Sequence, residues 1–251
     1  GLDLPPLSGG AIVKTGAERL TLSGANTYTG GTTVNGGILA VSSDANLGAP
    51  SGALQLDSGT LRTTASFETG RAITLAGTVG TFFVVPGTEL RAAGVISGPG
   101  ALTKNGAGTL VLSGANTFTA GGLVNSGTLR AGSAQALGSG GWTVASGATL
   151  DLNGFSNTIS ALTGSGAVNL GAGTLTISNG LAGSPFSGII SGSGGLTLTG
   201  GTQVLSGCGN TYTGVTNVFA GTLSVGCIAN GGVASDIGAS GVAASNLSIG
   251  G

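Results

Sequence analysis

Apolar and small polar residues alternate along many short stretches of this chain. Examples are Leu54-Gln55-Leu56, Leu150-Asp151-Leu152 and Leu175-Thr176-Ile177, each bounded within a few residues by glycine, serine or asparagine. A period of two is typical of a half-buried strand, whereas an amphipathic helix repeats its apolar residues every three or four positions. No segment sustains the helical period together with helix caps. The pattern therefore predicts an all-β chain with little or no helix.

A glycine followed within three positions by a leucine returns about every 22 residues, and such a period indicates one small unit stacked many times. The glycines are Gly37, Gly59, Gly87, Gly108, Gly127, Gly147, Gly173, Gly195 and Gly221. Their three longest intervals begin at Gly59, Gly147 and Gly195. Propeller blades need ~40 residues and sandwiches repeat less regularly. We therefore expect a parallel β-helix, or solenoid, of about 10–11 coils with three short strands in each coil.

The leucine of each step is expected to point into the interior and to stack on its counterpart one coil away. This predicts a core ladder of Leu39, Leu61, Leu90, Leu110, Leu129, Leu150, Leu175, Leu196 and Leu223. The residue after each leucine is then expected to point outward, because side chains alternate along a strand. At two successive steps that residue is Arg130 and Asp151, so the ladder predicts an exposed ion pair between neighbouring coils.

Composition narrows the possible functions. The chain has 54 glycines in 251 residues, only 6% charged residues and a formal net charge of −1, so it has no basic surface for nucleic acid or an anionic membrane. The chain contains no run of ~18 apolar residues, so the sequence predicts no transmembrane helix. Histidine is absent, which removes histidine-based catalysis and imidazole metal ligands. We predict no catalytic residue, no cofactor and no metal site.

Two groups of side chains remain candidates for chemistry. Cys208 and Cys227 are separated by close to one coil of sequence, which could bring them within disulfide distance; two buried free thiols are the alternative. Glu68 and Glu89 are likewise close to one coil apart and could stack, with Arg71 and Arg91 following at similar spacing. A solvated ladder of charges is the favoured interpretation, and a carboxylate pair acting on a glycosidic bond is the alternative.

A longer repeat lies above the coil period, with copies near residues 10–48, 100–138 and 195–238. The sequence LTLSGANTYTG at 20–30 returns as LVLSGANTFTA at 110–120 and as VLSGCGNTYTG at 204–214. These copies resemble the passenger-associated transport repeat of bacterial autotransporters, although the third copy inserts Cys208-Gly209 and has Phe219 in place of asparagine. No secretory signal precedes Gly1, and both ends fall inside repeat-like sequence. We therefore expect residues 1–251 to be a single β-helix segment of a longer passenger.

The resemblance carries implications for fold and location. It implies a right-handed parallel β-helix exposed on the surface of a Gram-negative bacterium. It also implies that the parent chain is attached to the outer membrane through a C-terminal barrel outside this segment, with no membrane insertion of the segment itself.

The polar and aromatic residues inside the motif also need a physical interpretation. Asn26, Asn116 and Asn210 fall where the chain must turn, and asparagine hydrogen-bonds readily to nearby backbone, so a turn or an asparagine ladder is favoured over ligand binding. Tyr28, Phe118 and Tyr212 share one motif position. We interpret them as packing elements, with a sugar-binding platform as the alternative.

Three classes of function are compatible with these features. The leading hypothesis is a non-catalytic structural or adhesive passenger segment that acts as a rigid stalk, assists secretion by folding coil by coil, and contacts a host cell, a matrix surface or another copy of itself. A polysaccharide-acting enzyme on a β-helix is the second class. An ice-binding protein is the third, and it would require Thr-x-Thr on successive coils, whereas Thr27-x-Thr29 and Thr117-x-Thr119 lie one long repeat apart.

Overall fold

The computed structural model describes residues 2–4, 6–180, 185–243 and 246–250. The fold is a β-solenoid of about 10 coils built from parallel strands, as the alternating pattern predicts. A short 3-10 helix, Asp44–Leu47, lies at a corner of the solenoid. Among the described residues, no helix is both long enough and apolar enough to span a bilayer.

The strands are short because each forms only one side of a coil. In the first half of the chain they are β1 (Leu2–Leu4), β2 (Ile12–Lys14), β3 (Arg19–Leu22), β4 (Thr32–Val34), β5 (Ile38–Val41), β6 (Leu54–Leu56), β7 (Thr60–Thr63), β8 (Phe67–Thr69), β9 (Ile73–Leu75), β10 (Val79–Val84), β11 (Glu89–Ala92), β12 (Ile96–Ser97), β13 (Ala101–Asn105) and β14 (Thr109–Leu112). In the second half they are β15 (Gly122–Val124), β16 (Thr128–Ala131), β17 (Trp142–Val144), β18 (Thr149–Asp151), β19 (Asn157–Ile159), β20 (Leu162–Gly164), β21 (Ala167–Asn169), β22 (Leu175–Ile177), β23 (Ile189–Ser191), β24 (Leu196–Leu198), β25 (Thr202–Leu205), β26 (Thr216–Val218), β27 (Thr222–Val225) and β28 (Leu247–Ile249).

Every strand pairs in parallel with its counterpart one coil away, which produces long sheets. We name the nine-stranded sheet β1-β3-β5-β7-β10-β13-β15-β17-β20 sheet A, and the five-stranded sheet β2-β4-β6-β9-β12 sheet B. Sheet C is β8-β11-β14-β16-β18-β21-β23, and sheet D is β19-β22-β24-β26-β28. Single bridges through Phe186 extend sheet A to the last pair, β25 and β27.

The long repeat does not return to the same sheet. In the first copy, β2 and β3 lie in sheets B and A, whereas their counterparts in the second copy, β13 and β14, lie in sheets A and C. Since the chain passes from B to A to C in each coil, one long repeat corresponds to four coils and one further side. Each side needs the same inward and outward alternation and the same corner, so one motif can form any of them.

The same geometry corrects the leucine ladder, which is not a single file. Leu39 and Leu61 pair in sheet A, Leu90, Leu110, Leu129 and Leu150 stack in sheet C, Leu175 and Leu196 pair in sheet D, and Leu223 faces Gln203 in the β25–β27 pair. Eight of the nine are buried, and Leu223 is half-buried. The breaks coincide with the three longest glycine intervals, each of which equals one coil plus one side.

The interior is a continuous apolar column. Its buried members include aliphatic side chains from every sheet and the aromatic rings of Phe82, Phe118, Trp142, Phe186 and Tyr212. Burying a side chain of this size stabilises by ~1.5–3 kcal/mol, which is too little for an isolated coil to overcome the entropy of ordering its ~20 residues. Each coil is therefore stable only because its neighbours cover both of its faces.

Candidate functional site

Sheet C carries an outward row of charged side chains that we call the charge row. It contains Glu68, Arg91, Arg130 and Asp151, with the buried Val111 between the two arginines, all aligned in register on successive strands. The Arg130 Nε lies 2.9 Å from an Asp151 oxygen, so the predicted ion pair is present. Its exposure differs from the prediction, because Asp151 is only 8% exposed and also accepts hydrogen bonds from the Asn153 N–H and the Asn169 amide.

The two glutamates do not stack on each other. Arg91 is in register with Glu68 and lies 3.4 Å from it, whereas Glu89 is two residues before Arg91 and lies 3.7 Å from Arg130. Each carboxylate therefore faces an arginine, in a partly solvated ion-pair network whose individual pairs contribute less than ~1 kcal/mol. Glycosidic-bond cleavage requires two carboxyl groups facing the same bond, and this row does not place them so.

Arg71 does not belong to the charge row. Its side chain is almost fully buried and binds both carboxylate oxygens of Asp44, at 2.8 and 3.0 Å. The same guanidinium donates to the backbone carbonyls of Asp44, Gly48, Ala49 and Gly52. The spacing of the charges along the sequence did not reveal this role, because it depends on a corner of the neighbouring coil that turns its carbonyl groups inward.

Sheet A carries a neutral outward row that we call the threonine row. Thr60, Thr81, Thr103, Thr143 and Thr163 share one register position on five coils, with Leu123 between the third and fourth. Thr143 is exposed and the other four are half-buried, and the Thr143 and Thr163 hydroxyls lie 2.8 Å apart. This surface offers hydroxyl donors and acceptors without a net charge.

A neutral groove of about 630 Å³ crosses three coils on a side where regular strands are interrupted, between β12 and β19. It is lined by Asn116, Thr117, Ala134, Gln135, Gly138, Ser139, Asn157 and Thr158. None of these side chains is charged, so the groove offers only neutral hydrogen-bonding groups.

The motif asparagines connect neighbouring coils. The side-chain oxygens of Asn26, Asn116 and Asn210 accept the backbone N–H groups of Leu7, Ile96 and Ile190, respectively. Their amide nitrogens donate to the carbonyls of Asn46, Ala136 and Asp236 on the following coil. Each asparagine is at most 6% exposed, so its side chain joins the coil before it to the coil after it, and that of Asn116 contributes little surface to the groove.

The motif aromatics are all fully buried, which places them out of reach of a sugar ring. The hydroxyls of Tyr28 and Tyr212 lie 2.7 Å from those of Thr32 and Thr216, four residues later. Burial raises the pKa of both tyrosines, that of Tyr212 to about 12, although the threonine hydrogen bond opposes the shift. In the second copy the aromatic residue is Phe118, the threonine position is Gly122, and the ring packs edge-to-face against Trp142 at a centroid distance of 6.1 Å.

The chain's two lysines are both buried, which the sequence analysis did not anticipate. The Lys104 ammonium donates to the carbonyls of Asn105, Gly106 and Ser126, and Lys14 has an equivalent set at Thr15, Gly16 and Gly36. Burial lowers the pKa of Lys104 to about 8. A glycine two residues after each lysine is the sequence signal that could have shown this, because it forms the corner whose carbonyls the ammonium binds.

Cys208 and Cys227 lie at the last coils and are joined by a disulfide, with their Cα atoms 5.3 Å apart. Asp236 is fully buried beside them, and its carboxylate forms a compact cluster with the two sulfurs. Both carboxylate oxygens accept backbone N–H groups, and the sulfurs are bonded to each other. The oxidised cluster therefore has no free ligand set for a metal ion. Sequence analysis missed Asp236 because nothing in the spacing relates it to the cysteines.

Comparison with known proteins agrees with these features. The family model described as the passenger-associated transport repeat matches residues 12–41, 102–131 and 200–225, which lie within the three long copies. A similar protein is the adhesin BmaC autotransporter of Brucella suis biovar 1 (strain 1330), which is 50% identical over 249 residues. That match covers 93% of this chain but only 7% of the relative. No solved structure shows significant similarity to the chain. The chain therefore belongs to the autotransporter passengers that carry passenger-associated transport repeats.

Proposed function

We propose that this segment is a rigid, non-catalytic spacer and adhesive contact surface within a passenger displayed on a Gram-negative cell. In this proposal the parent protein tethers it to the outer membrane through a C-terminal barrel. The observation that carries the proposal is the parallel pairing of each strand with its counterpart in the next coil, which extends along the whole stack. Such a stack resists bending because every coil is bonded to both neighbours.

The adhesive part of the proposal is supported by the relative's name, which includes the word adhesin, and by the chemistry of the surface. The threonine row presents neutral hydroxyls at strand spacing over several coils, so it can form many weak hydrogen bonds in parallel. The partner is a host-cell surface, a matrix surface or a second copy of the segment. Multiple weak contacts give useful avidity only when their geometry is fixed, which a rigid stack provides.

The two alternative functions have less support. The carboxylates of the charge row face arginines, which disfavours a glycoside-cleaving pair. The threonine row is one threonine wide, because the residues two positions later are Arg62, Phe83 and Asn105 beside the first three threonines. Ice binding by paired threonines would need a second aligned threonine at that position.

The test is an adhesion and self-association assay on the purified segment. Beads coated with the segment should bind to cultured cells, to matrix-coated surfaces or to each other, and the protein should not depolymerise polysaccharides. Replacing Thr81, Thr103 and Thr143 together by valine should reduce bead binding at least several-fold, since valine keeps the shape and removes the hydroxyl.

The matched control replaces Thr109, Thr128 and Thr149 by valine. These threonines share a register position on sheet C and stand beside the charge row, so their loss should leave binding unchanged. Equal losses in both triple variants would contradict the assignment of contact to sheet A. Release of oligosaccharides by the unmodified segment would overturn the non-catalytic part of the proposal.

A further inference from the structure

Asp236 is a fully buried carboxylate whose charge is met by backbone alone. Its Oδ1 accepts the Cys208 N–H at 2.7 Å, and its Oδ2 accepts the Gly226 and Cys227 N–H groups at 2.7 and 2.8 Å. No lysine or arginine follows Arg130 in the sequence, and Asp236 has no ion pair with any described residue. Removing a carboxylate charge from water is costly, so a buried carboxylate that is held only by amide N–H groups indicates a specific role for this residue.

The three amides belong to two different coils. Cys208 follows β25, while Gly226 and Cys227 follow β27, the next strand in the same sheet. The backbone of Asp236 is bound as well, because its N–H donates to the Cys227 carbonyl at 3.0 Å and its carbonyl accepts the Asn210 amide at 2.9 Å. Asp236 therefore fixes the backbone at both cysteines independently of the bond between their sulfurs.

Cys208 also has a backbone conformation that needs such support. Its φ is +53°, in the left-handed region that residues other than glycine rarely adopt. A conformation of this kind persists where surrounding contacts determine it. The Cys208 N–H donates to Asp236 Oδ1 at 2.7 Å, and this contact restrains the conformation together with the disulfide.

We propose that Asp236 is a positioning residue for the Cys208–Cys227 disulfide, and that the three residues form a redox-sensitive latch on the last coils. Closure transfers two electrons and two protons from the two thiols to a disulfide oxidant, forming the S–S bond and releasing the oxidant's dithiol. In the reverse direction a dithiol attacks one sulfur, the other leaves as a thiolate and is then protonated, and the second thiol of the reductant completes its own ring.

Asp236 favours the closed latch in two ways. It holds the backbones of both cysteines at disulfide distance, so the two sulfurs of the reduced protein remain adjacent and re-form the bond readily. Its carboxylate also lies within 4.8 Å of both sulfurs, and an adjacent negative charge disfavours the thiolate that must leave during reduction.

The first experiment equilibrates the full segment with reduced and oxidised dithiol buffers, then alkylates free thiols and measures the mass. Asp236→Asn should shift the equilibrium toward the dithiol about tenfold, or ~30 mV for this two-electron couple. It should also speed reduction, because an amide cannot accept all three N–H groups and carries no charge. Asp57→Asn is the control, since Asp57 is a partly exposed carboxylate at a corner in the first half of the chain. An unchanged equilibrium in Asp236→Asn would overturn the proposal.

The second experiment separates Asp236 from the disulfide, and its first measurement does not depend on the folding of Asp236→Asn. In the Cys208→Ser/Cys227→Ser protein, the amides of residues 208, 226 and 227 should remain protected from hydrogen exchange, because the carboxylate still binds them. Adding Asp236→Asn should increase their exchange at least tenfold. If those amides exchange freely in the double-serine protein, the disulfide alone holds the two coils and Asp236 does not position them.

Discussion

At the equivalent corners at residues 28, 118 and 212, the aromatic residue and the residue four positions later vary together. Where the corner ring is tyrosine, the residue four positions later is a threonine whose hydroxyl lies 2.7 Å from the phenol. Where the ring is Phe118, that position is Gly122, and the space is taken by Trp142, whose ring carbons would lie 2.8 and 2.9 Å from a Cβ on Gly122. At these three corners the ring therefore carries a hydroxyl only where a threonine hydroxyl is available as its partner.

Exchanging the two rings should therefore destabilise the protein in both directions. Phe118→Tyr would introduce a buried hydroxyl without a threonine partner, at a cost of ~1–3 kcal/mol, and Tyr28→Phe would leave the buried Thr32 hydroxyl unpaired, at a cost of ~1 kcal/mol. Both should lower the urea midpoint of unfolding, with the larger loss for Phe118→Tyr. A midpoint for Phe118→Tyr equal to that of the unmodified protein would mean that another acceptor lies within reach of the ring.

The sequence predicts some of these features of individual residues. The aromatic and asparagine positions were assigned to turns and packing from their place in the motif, and the structure buries all six. The sequence did not show the contacts of Arg71 or Asp236, because each binds backbone groups that another coil supplies. Those backbone groups leave no signature in the sequence, so the contacts become visible only once the coils are stacked.

At the scale of strands and corners, the solenoid uses arginine in two different environments. Arg91, in the charge row, has a side chain 44% exposed and faces a Glu68 side chain that is 61% exposed. Arg71 has a side chain 1% exposed and joins β9 to the corner that contains the 3-10 helix, through Asp44 and four backbone carbonyls. The planar guanidinium can satisfy that set, whereas an ammonium is too compact to reach it.

Substitution by lysine should separate these two environments while keeping the charge. Arg71→Lys should lower the free energy of unfolding by about 3 kcal/mol, because it leaves several backbone carbonyls and part of the Asp44 carboxylate, whose side chain is 25% exposed, without a donor. Arg91→Lys is the matched control and should change stability by less than ~0.5 kcal/mol. Chemical denaturation of both variants provides the measurement, and similar small effects at both positions would show that the corner at Asp44 is held by other contacts.

The strands could largely be predicted from the sequence, but the prediction of which sheet each leucine-bearing strand joins is wrong. Alternation and glycine spacing gave a solenoid and a core position for each leucine. The assumption that every leucine faces the same side failed at the steps from Leu61 to Leu90, from Leu150 to Leu175 and from Leu196 to Leu223. These are the three longest glycine intervals, and each equals one coil plus one side, so the spacing itself contains the change of sheet. The prediction is wrong at these steps because one side of a coil, and not only a whole coil, is a unit of repetition.

At the scale of the whole molecule, stability is shared between neighbouring coils and not concentrated in one centre. The registers show what counts as a removable unit, because Leu61 on β7 pairs with Phe82 on β10 one coil later in the stack. Removing residues 61–81 would join Thr60 to Phe82, which would then occupy the inward position of Leu61. Each later strand would keep its side and its alternation, so the interior column would remain continuous.

We therefore expect the protein lacking residues 61–81 to fold, with a circular dichroism spectrum of the same β type. Its urea m value should fall by about a tenth, in proportion to the surface that one of about ten coils buries. Removing residues 61–70 is the control, because Thr60 would then be followed by Arg71, placing a charged side chain at an interior position and moving later strands off their sheets. That shorter deletion should abolish cooperative unfolding. If the protein lacking residues 61–70 unfolds as cooperatively as the protein lacking residues 61–81, the coil is not the unit of stability. Strand register would then contribute less to stability than the local corners do.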